Sequence, residues 1–365
     1  MPKGFTLEVN PCVYVAKHTE DGTWQEEFQE KPHLAREEEA LLPEEKCQEL
    51  LEKRNSFPDL PLVNYTTQYG MGCFEGLKAL PQKDGSLKIF RPDENAKRME
   101  TSMKGLMMPA LPPDMFVSAV KKVIAGNRRL GFAPVYDPEW EKDDFVYGHS
   151  IYIRPFSYSE GAIGLGISKH PWVVIVTTQV GTYFSAEKPS AVTTDMIRAT
   201  HNGTGWIKCN ANYVIATLAK KKAEAQGYME AIFLDSVEKK YIEEGSSCNI
   251  FFLLKNETLV TPELGDTILP GITRKSIIEI ARDMKIKTEE RRISIEEVLD
   301  DAKEVFVTGT AAGISFIGSV THMGRTSVYN NGKLGDVSHE LLVTLKGIQY
   351  GARPDKFNWM CDVKA

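Results

Sequence analysis

The sequence predicts a mixed α+β protein built as two domains, and three observations carry that prediction. The chain has 365 residues, and one domain usually takes ~100–200. Apolar, β-branched runs of strand length alternate with segments of helical period, and the strands outnumber the helices that could cross over between them. No fixed-period repeat or low-complexity tract breaks the text. Hydrophobic residues at 42%, charged ones at 26% and 28 glycines are ordinary for a globular chain. They exclude collagen, coiled coil, a disordered chain and a disulfide-dense miniprotein.

Taken in order, Leu87–Phe90 reads as a strand, and Arg91-Pro92-Asp93 then opens a helix with Pro92 in its first turn. Met99, Met103, Leu106 and Met107 recur at helical spacing and are expected to pack in the core. A second helix runs from Pro113 to Leu130 and is closed by Gly131. His149–Phe156 and Trp172–Val180 are apolar and β-branched, so both read as strands. The best linker follows at 181–189, ahead of a strand expected at Ala191–Ala199. The division expected is an N-terminal domain over 1–180, including an acidic arm at 1–60, an interdomain loop at 181–190 and a C-terminal domain over 191–365. In that second half Ala211–Gln226 reads as a helix stopped by Gly227. Met229–Asp235, Asn249–Leu254 and Leu259–Thr261 read as strands, and Gly271–Met284 and Ile295–Ala302 as helices. Glu304–Thr308 and Ile314–Val328 read as strands with turns, and Val337–Gln349 as a last helix. Residues 18–60 read only as an acidic, proline-containing approach with helical character from Glu37 to Glu52.

Charge and cysteine usage narrow the function classes. With 44 basic and 50 acidic side chains the net charge is −6, the wrong sign for a binder of phosphate backbones. The lysine run at Lys220–Lys222 is short and reads as a solvated helix face. No stretch of ~20 apolar residues is present, so no membrane helix is expected. The opening Met1-Pro2-Lys3-Gly4 runs into charged text without the apolar region of a signal peptide. Six scattered cysteines, with no C-x-x-C pair and no Cys/His cluster, point to reduced thiols in the cytoplasm and to no metal site.

Five stretches could carry chemistry, and each is common when taken alone. Asn202–Tyr213 is a glycine-rich loop, then Lys208, then a helix start. Glu243–Phe251 places Glu244 on a tight polar turn that feeds a buried strand. Ile268–Arg274 opens a helix with a Pro-Gly turn, so the free N–H groups of Ile272 and Thr273 form an anion-ready start. Thr308–Gly313 is a turn of small residues with the Thr310 hydroxyl. Arg154 stands inside an apolar strand and needs an anionic partner. Together they supply an amine nucleophile, a carboxylate and several anion donors, the set required by pyridoxal 5′-phosphate (PLP). A lysine forms a Schiff base with its aldehyde. A carboxylate holds its ring nitrogen protonated, and arginine, hydroxyls and a helix N-terminus take its phosphate.

On these residues the chain resembles the class IV PLP-dependent aminotransferases, most closely those acting on branched-chain amino acids. Glu244-Gly-Ser-Ser-Cys-Asn249-Ile-Phe251, followed by Leu259-Val-Thr261 and Leu269-Pro-Gly-Ile-Thr-Arg274, is similar to the class signature. Gly203-Thr-Gly205 with Lys208-x-x-x-Asn212-Tyr213 resembles the lysine segment, and Tyr69–Ala79 resembles the Phe-Glu-Gly segment. Gly347-Ile-Gln-Tyr-Gly351 with Trp359 is similar to the tail of the longer branch. The resemblance covers about Tyr65 to Trp359.

It implies the two-domain D-amino-acid-aminotransferase-like fold (fold type IV), with a smaller N-terminal α/β domain and a larger C-terminal pseudo-barrel that binds PLP. Lys208 is the implied catalytic residue, joined to the cofactor and moving the substrate's Cα proton. Glu244 is implied at the ring nitrogen and Tyr213 at the phenolic oxygen. Arg154, Ile272, Thr273 and Thr310 are implied at the phosphate, and Arg198 in a supporting position. The N–H groups of Thr310 and Ala311 would meet the substrate carboxylate. Tyr69, Phe74 and Tyr183 would wall the side-chain pocket, with Tyr183 on a loop suited to closing over substrate. The implied reaction converts branched L-amino acids (Leu, Ile, Val) and 2-oxoglutarate to branched 2-oxo acids and L-glutamate, in a homodimer.

Two departures stand out. The 18–60 segment does not match the expected family N-terminus. Ala312 and Ser315 occupy places where some relatives carry a Cys-x-x-Cys pair. The alternatives are a D-amino-acid or R-amine aminotransferase, or aminodeoxychorismate lyase, all usually shorter. A catalytically dead relative has no evident reason to keep Lys208, Glu244 and Arg154 together, and a sugar- or nucleotide-phosphate enzyme leaves the Lys/Glu pair unexplained.

Overall fold

The computed structural model describes residues 8–56, 60–181 and 189–363. Its contacts gather into two units. One comprises the described residues of Met1–Tyr183, Lys208–Ala211 and Ile348–Ala365; the other those of Phe184–Ile207 and Asn212–Gly347. The grouping is not a single cut in the chain, because the Lys208 segment and the C-terminal tail pair within the first unit.

The first unit is built on a seven-stranded sheet. Its strands are β1 (Cys12–His18), β2 (Trp24–Glu30), β3 (Leu77–Pro81), β4 (Leu87–Phe90), β5 (Ser150–Tyr158), β6 (Trp172–Val180) and a C-terminal strand, Met360–Asp362. The order across the sheet is C-terminal strand, β4, β3, β5, β6, β1, β2. β5 and β6 pair antiparallel over nine residues, from Ser150↔Val180 to Tyr158↔Trp172. β5 also pairs with β3, in the register Leu77↔Ile153 to Ala79↔Ile151. Pro155, which has no N–H to donate, falls beyond the last of those β3 pairs, where a proline costs no ladder bond.

β2 is the acidic part of the arm, where periodicity predicts no strand. Its sequence, Trp-Gln-Glu-Glu-Phe-Gln-Glu, shows no apolar alternation because it forms the sheet edge and is mostly exposed. After it come α1 (Arg36–Ala40) and α2 (Glu44–Arg54). They are tied down by Arg54, which is 2% exposed, ion-pairs with Glu39 and donates from Nε to the Pro32 carbonyl at 2.8 Å. A short α3 (Tyr65–Tyr69) starts on Asn64, whose side chain accepts from the Thr67 N–H. α4 (Pro92–Gly105) begins with proline at its N-terminus, as expected, and buries Met99 and Met103. It stops at Gly105, so Met107, with φ +58°, turns outward and is 67% exposed instead of lying in the core. α5 (Pro113–Arg129) buries Phe116, Ala119, Val120, Val123 and Ile124, at helical spacing, on one face.

The second unit holds two five-stranded sheets. β7 (Ser190–Thr193) and β8 (Glu230–Leu234) run parallel, joined through α6 (Asn212–Ala225); β9 (Ile242–Gly245) then pairs antiparallel with β8. β7 is shorter than expected. After Thr193 the chain turns, with the Met196 N–H donating to Thr194 Oγ1. β10 (Asn249–Leu254), β11 (Leu259–Thr261), α7 (Ile272–Asp283), β12 (Thr288–Glu290), α8 (Ile295–Asp301), β13 (Ala302–Gly309) and β14 (Gly313–Phe316) follow. β15 (Ser319–His322), β16 (Arg325–Val328) and α9 (Asp336–Gln349) complete the unit's elements. The sheet orders are β12-β11-β10-β13-β14 and β16-β15-β7-β8-β9. Both contribute to one core, with Ile232, Ile250, Phe252, Val305 and Val320 all buried in it. Continuous apolar strands such as Asn249–Leu254 are buried on both faces, which is why they read without alternation.

Candidate active site

In the first unit the Lys208 segment is laid along the Phe74 segment. The Phe74 N–H donates to the Lys208 carbonyl at 3.1 Å and the Asn210 N–H to the Gly72 carbonyl at 2.8 Å; Cys73 and Cys209 pair antiparallel. The Lys208 N–H donates to Ser102 Oγ at 3.0 Å, which ties the segment to α4. The Lys208 ammonium lies 4.9 Å from the centroid of the Phe74 ring, and the Arg154 guanidinium 4.6 Å from the same ring. Phe74 in turn bridges to Phe156, two residues beyond Arg154 on β5.

Arg154 donates from Nη2 to the Tyr152 hydroxyl at 2.9 Å, while its Nε is buried without an acceptor. Two cations around one ring, one with an N–H still unmet, form a setting that an anionic group satisfies. The glycine of the Phe-Glu-Gly segment makes the arrangement possible, because a Cβ at Gly76 would stand 2.1 Å from the Tyr152 hydroxyl.

In the second unit three of the expected elements meet around Asn249. Glu244, on β9, is 4% exposed. One of its oxygens ion-pairs with Arg198 and the other accepts from Asn249 Nδ2 at 3.2 Å. Asn249 Nδ2 also donates to the Leu269 carbonyl at 2.9 Å, at the turn that opens α7. Gly271 caps that helix without a side-chain hydrogen bond, and a Cβ on it would stand 2.0 Å from Asn249 Oδ1. The N–H groups of Ile272 and Thr273 therefore begin the helix without a side-chain cap, and the helix dipole adds to their pull on an anion.

Across the β10–β13 ladder Asn249 faces Thr308, whose Oγ1 is buried without a partner, as is Ser246 Oγ. Thr310 and Ala311 follow in the half-buried turn to β14, which Gly313 completes at φ +72°. Tyr213 is half-buried at the second position of α6. Its neighbour Asn212 closes the glycine loop, donating from Nδ2 to the carbonyls of Thr204 (2.7 Å) and Ile207 (3.1 Å). Burial pushes the carboxyl of Glu243 up, against the Thr267 hydroxyl and the Arg198 charge. Burial also pushes the Cys248 thiol well up, and the Glu230 carboxylate adds to that.

The other expected residues are placed as follows. Tyr69 ends α3, 39% exposed, and its hydroxyl accepts from the Gly164 N–H at 2.9 Å. It stands with an exposed apolar loop. Tyr183 lies outside the described residues. Motif reading singles out neither Tyr152 nor Asn249 as a contact residue. Asn249 is inside the quoted signature, where an amide just after a serine turn at a strand start is the available signal. Tyr152 is two residues before Arg154 and so on the same face of β5.

The residues present fit PLP. In the first unit the buried Arg154 Nε is unmet and Lys208 supplies the amine. In the second, Thr308 Oγ1 is unmet, the start of α7 has no side-chain cap and Glu244 supplies the carboxylate.

Comparison with known proteins points the same way. The profile of the family described as Amino-transferase class IV matches residues 72–320. The chain is 42% identical over 300 residues to "Branched-chain amino acid aminotransferase 2, chloroplastic" of Humulus lupulus, covering 81% of this chain and 70% of that protein. It is similar to the crystal structure of an Escherichia coli branched-chain amino acid aminotransferase, with TM-score 0.71 and 29% identity over 84% of this chain and 95% of that one. It also shares the fold of a branched-chain amino acid aminotransferase from Thermobaculum terrenum solved in its PLP form, with TM-score 0.71 and 23% identity over 98% of this chain and 100% of that one. The fold is therefore that of the fold type IV enzymes, and the chain belongs to the class IV aminotransferases.

Proposed function

We propose that this protein is a PLP-dependent aminotransferase that moves the amino group of branched L-amino acids (Leu, Ile, Val) to 2-oxoglutarate. The products are branched 2-oxo acids and L-glutamate. The observation that carries the reading is the class IV match over residues 72–320, which spans the candidate residues from Phe74 and Arg154 through Lys208 and Glu244 to Thr310 and Ala311 in one alignment. The relatives' names supply the branched-chain substrate class.

When bound, PLP supplies a cationic ring that takes up the electron pair left as the substrate's Cα–H bond breaks. In this reading Lys208 Nζ would hold the cofactor in the absence of substrate and, once freed, would carry the substrate's Cα proton away and back. Glu244 accepts from the protonated ring nitrogen. Arg154, the N–H groups of Ile272 and Thr273, and the Thr310 hydroxyl hold the phosphate. Tyr213 donates to the phenolic oxygen. The N–H groups of Thr310 and Ala311 orient the substrate carboxylate, and the aromatic faces of Phe74, Tyr69 and Tyr183 exclude water from the side-chain pocket. The Lys208 amine already stands beside the Phe74 ring, which supports the pairing of nucleophile and pocket wall.

The reading includes a homodimer, with a second copy covering an exposed apolar patch in the first unit. Leu62 is 89% exposed, Ile163 81% and Leu165 97%, and the Ala162 N–H donates to the Val63 carbonyl, so the two loops lie side by side. Patches of this kind mark association surfaces. It also includes a cytoplasmic location, which six free thiols support. Among the described residues no helix is long and apolar enough to cross a membrane.

The test is an amino-donor panel with 2-oxoglutarate on the yellow holoprotein. L-Leu, L-Ile and L-Val should bleach the visible band and turn over, and Lys208→Ala should abolish turnover. Absence of a visible band would overturn the PLP reading, and turnover of D-Ala or an R-amine in their place would reassign the substrate.

A further inference from the structure

Arg198 lies between β7 and α6, and its side chain is only 6% exposed. One end of its guanidinium, Nη2, meets three segments of the second unit at once. It ion-pairs with Glu244 on β9 and donates to the carbonyls of Gly205 (3.2 Å) and Thr267 (3.1 Å). The last two backbones touch. A Cβ on Gly205 would stand 2.5 Å from the Thr267 carbonyl oxygen and 2.6 Å from its Cα, so position 205 admits no side chain. Two buried carbonyls at such a contact repel unless a donor lies between them, and Arg198 is that donor.

At the outer end of the same seam, Asp266 accepts from the Asn202 N–H at 2.6 Å and lies 3.0 Å from His201 Nδ1. These contacts are exposed and contribute little against water. Arg198 is the buried part of the seam. The segments it joins have distinct duties in the chain. Gly203–Gly205 leads to Lys208, β9 carries Glu244, and Thr267 precedes the turn that opens α7 at Ile272 and Thr273.

We propose that Arg198 is a positioning residue for the cofactor cradle. It holds Glu244 in place by charge, and it locks the glycine loop to the approach of α7 by hydrogen bonds, without touching cofactor or substrate. The proposal rests on the role given to Glu244 above. The two duties are separable. A lysine supplies the charge, but its ammonium ends one bond short of the position of Nη2 along the side chain, so it does not reach both carbonyls.

The experiment compares wild type, Arg198→Gln and Arg198→Lys. Each apoprotein is titrated with PLP and followed by amide hydrogen exchange over 202–206, and each loaded protein is titrated with pH on its visible band. Arg198→Gln should bind PLP about tenfold or more weakly and exchange about tenfold faster in the loop, the effect of leaving buried acceptors unmade. Its band should also titrate at a different pH from wild type. Arg198→Lys should restore the wild-type pH titration but not the slow exchange.

Wild-type affinity and exchange in a folded Arg198→Gln would overturn the proposal. If that variant fails to fold, Arg198→Lys decides, and wild-type exchange in it would overturn the hydrogen-bonded clamp. A colourless wild type would sink the PLP reading alone, because apoprotein exchange still tests the clamp.

Discussion

Glu75 is fully buried and spends both carboxylate oxygens on Arg98, at 2.7 Å to Nε and 2.8 Å to Nη2, with Asn95 Nδ2 also donating at 2.7 Å. In the sequence it belongs to a pocket-forming motif. The structure divides that motif by residue: Phe74 meets the Lys208 amine, Glu75 closes an internal ion pair, and Gly76 leaves room for the Tyr152 hydroxyl. Removing one partner of a buried pair strands the other charge away from water. Glu75→Gln should therefore destabilise the fold by about 3–5 kcal/mol, read from the urea midpoint. A loss under about 1 kcal/mol, the value of an exposed pair, would mean that Arg98 finds water or another acceptor.

At the scale of elements, α9 carries an unusual burden. Lys346 is 8% exposed, near Gly313 of the β13–β14 turn, and burial pushes its amine down to about 8 from an ordinary 10.5. Between those values the unfolded chain holds a proton that the folded one has released, so stability rises with pH across that window. The penalty is fully present below about pH 8 and is relieved as the pH climbs towards the unfolded value. Relative to Lys346→Met, wild type should therefore gain stability between about pH 8 and pH 10 in urea unfolding. A pH-independent difference between the two would show that folding does not lower the Lys346 amine. Elements like α9, α5, β6 and β10 are legible because an apolar period or run survives in their sequence. β2 and β3 are not. β2 is an exposed edge with no apolar face, and β3 is a five-residue piece, Leu-Lys-Ala-Leu-Pro, that becomes a strand only between β4 and β5.

At the scale of the whole molecule, the charge is concentrated in one segment. Residues 18–60 hold 13 acidic side chains against 5 basic ones, so this segment alone more than accounts for the chain's net charge of −6. The arm is anchored by the Arg54–Glu39 pair and otherwise presents carboxylates to water. The proposed association surface is apolar, on the loops at Leu62 and Leu165. Leu165→Asp should reduce the sedimenting mass from twice 40.9 kDa to 40.9 kDa, because a carboxylate cannot be buried there without a partner. An unchanged mass would move the interface away from this loop.

The five short stretches taken together, with the family they resemble, were enough to name the chemistry. They pointed to the lysine, the carboxylate at Glu244, the anion-ready turn at Ile272 and Thr273, and the cofactor they suit, because each of those demands is met within a few residues of chain. What lies against what came from the folded arrangement instead. Lys208 pairs with Phe74 across 134 positions of the chain, and Arg198 bonds Thr267 across 69. Such contacts come from strand pairing and from the burial of polar groups that must find partners, and neither leaves a periodic trace in the text.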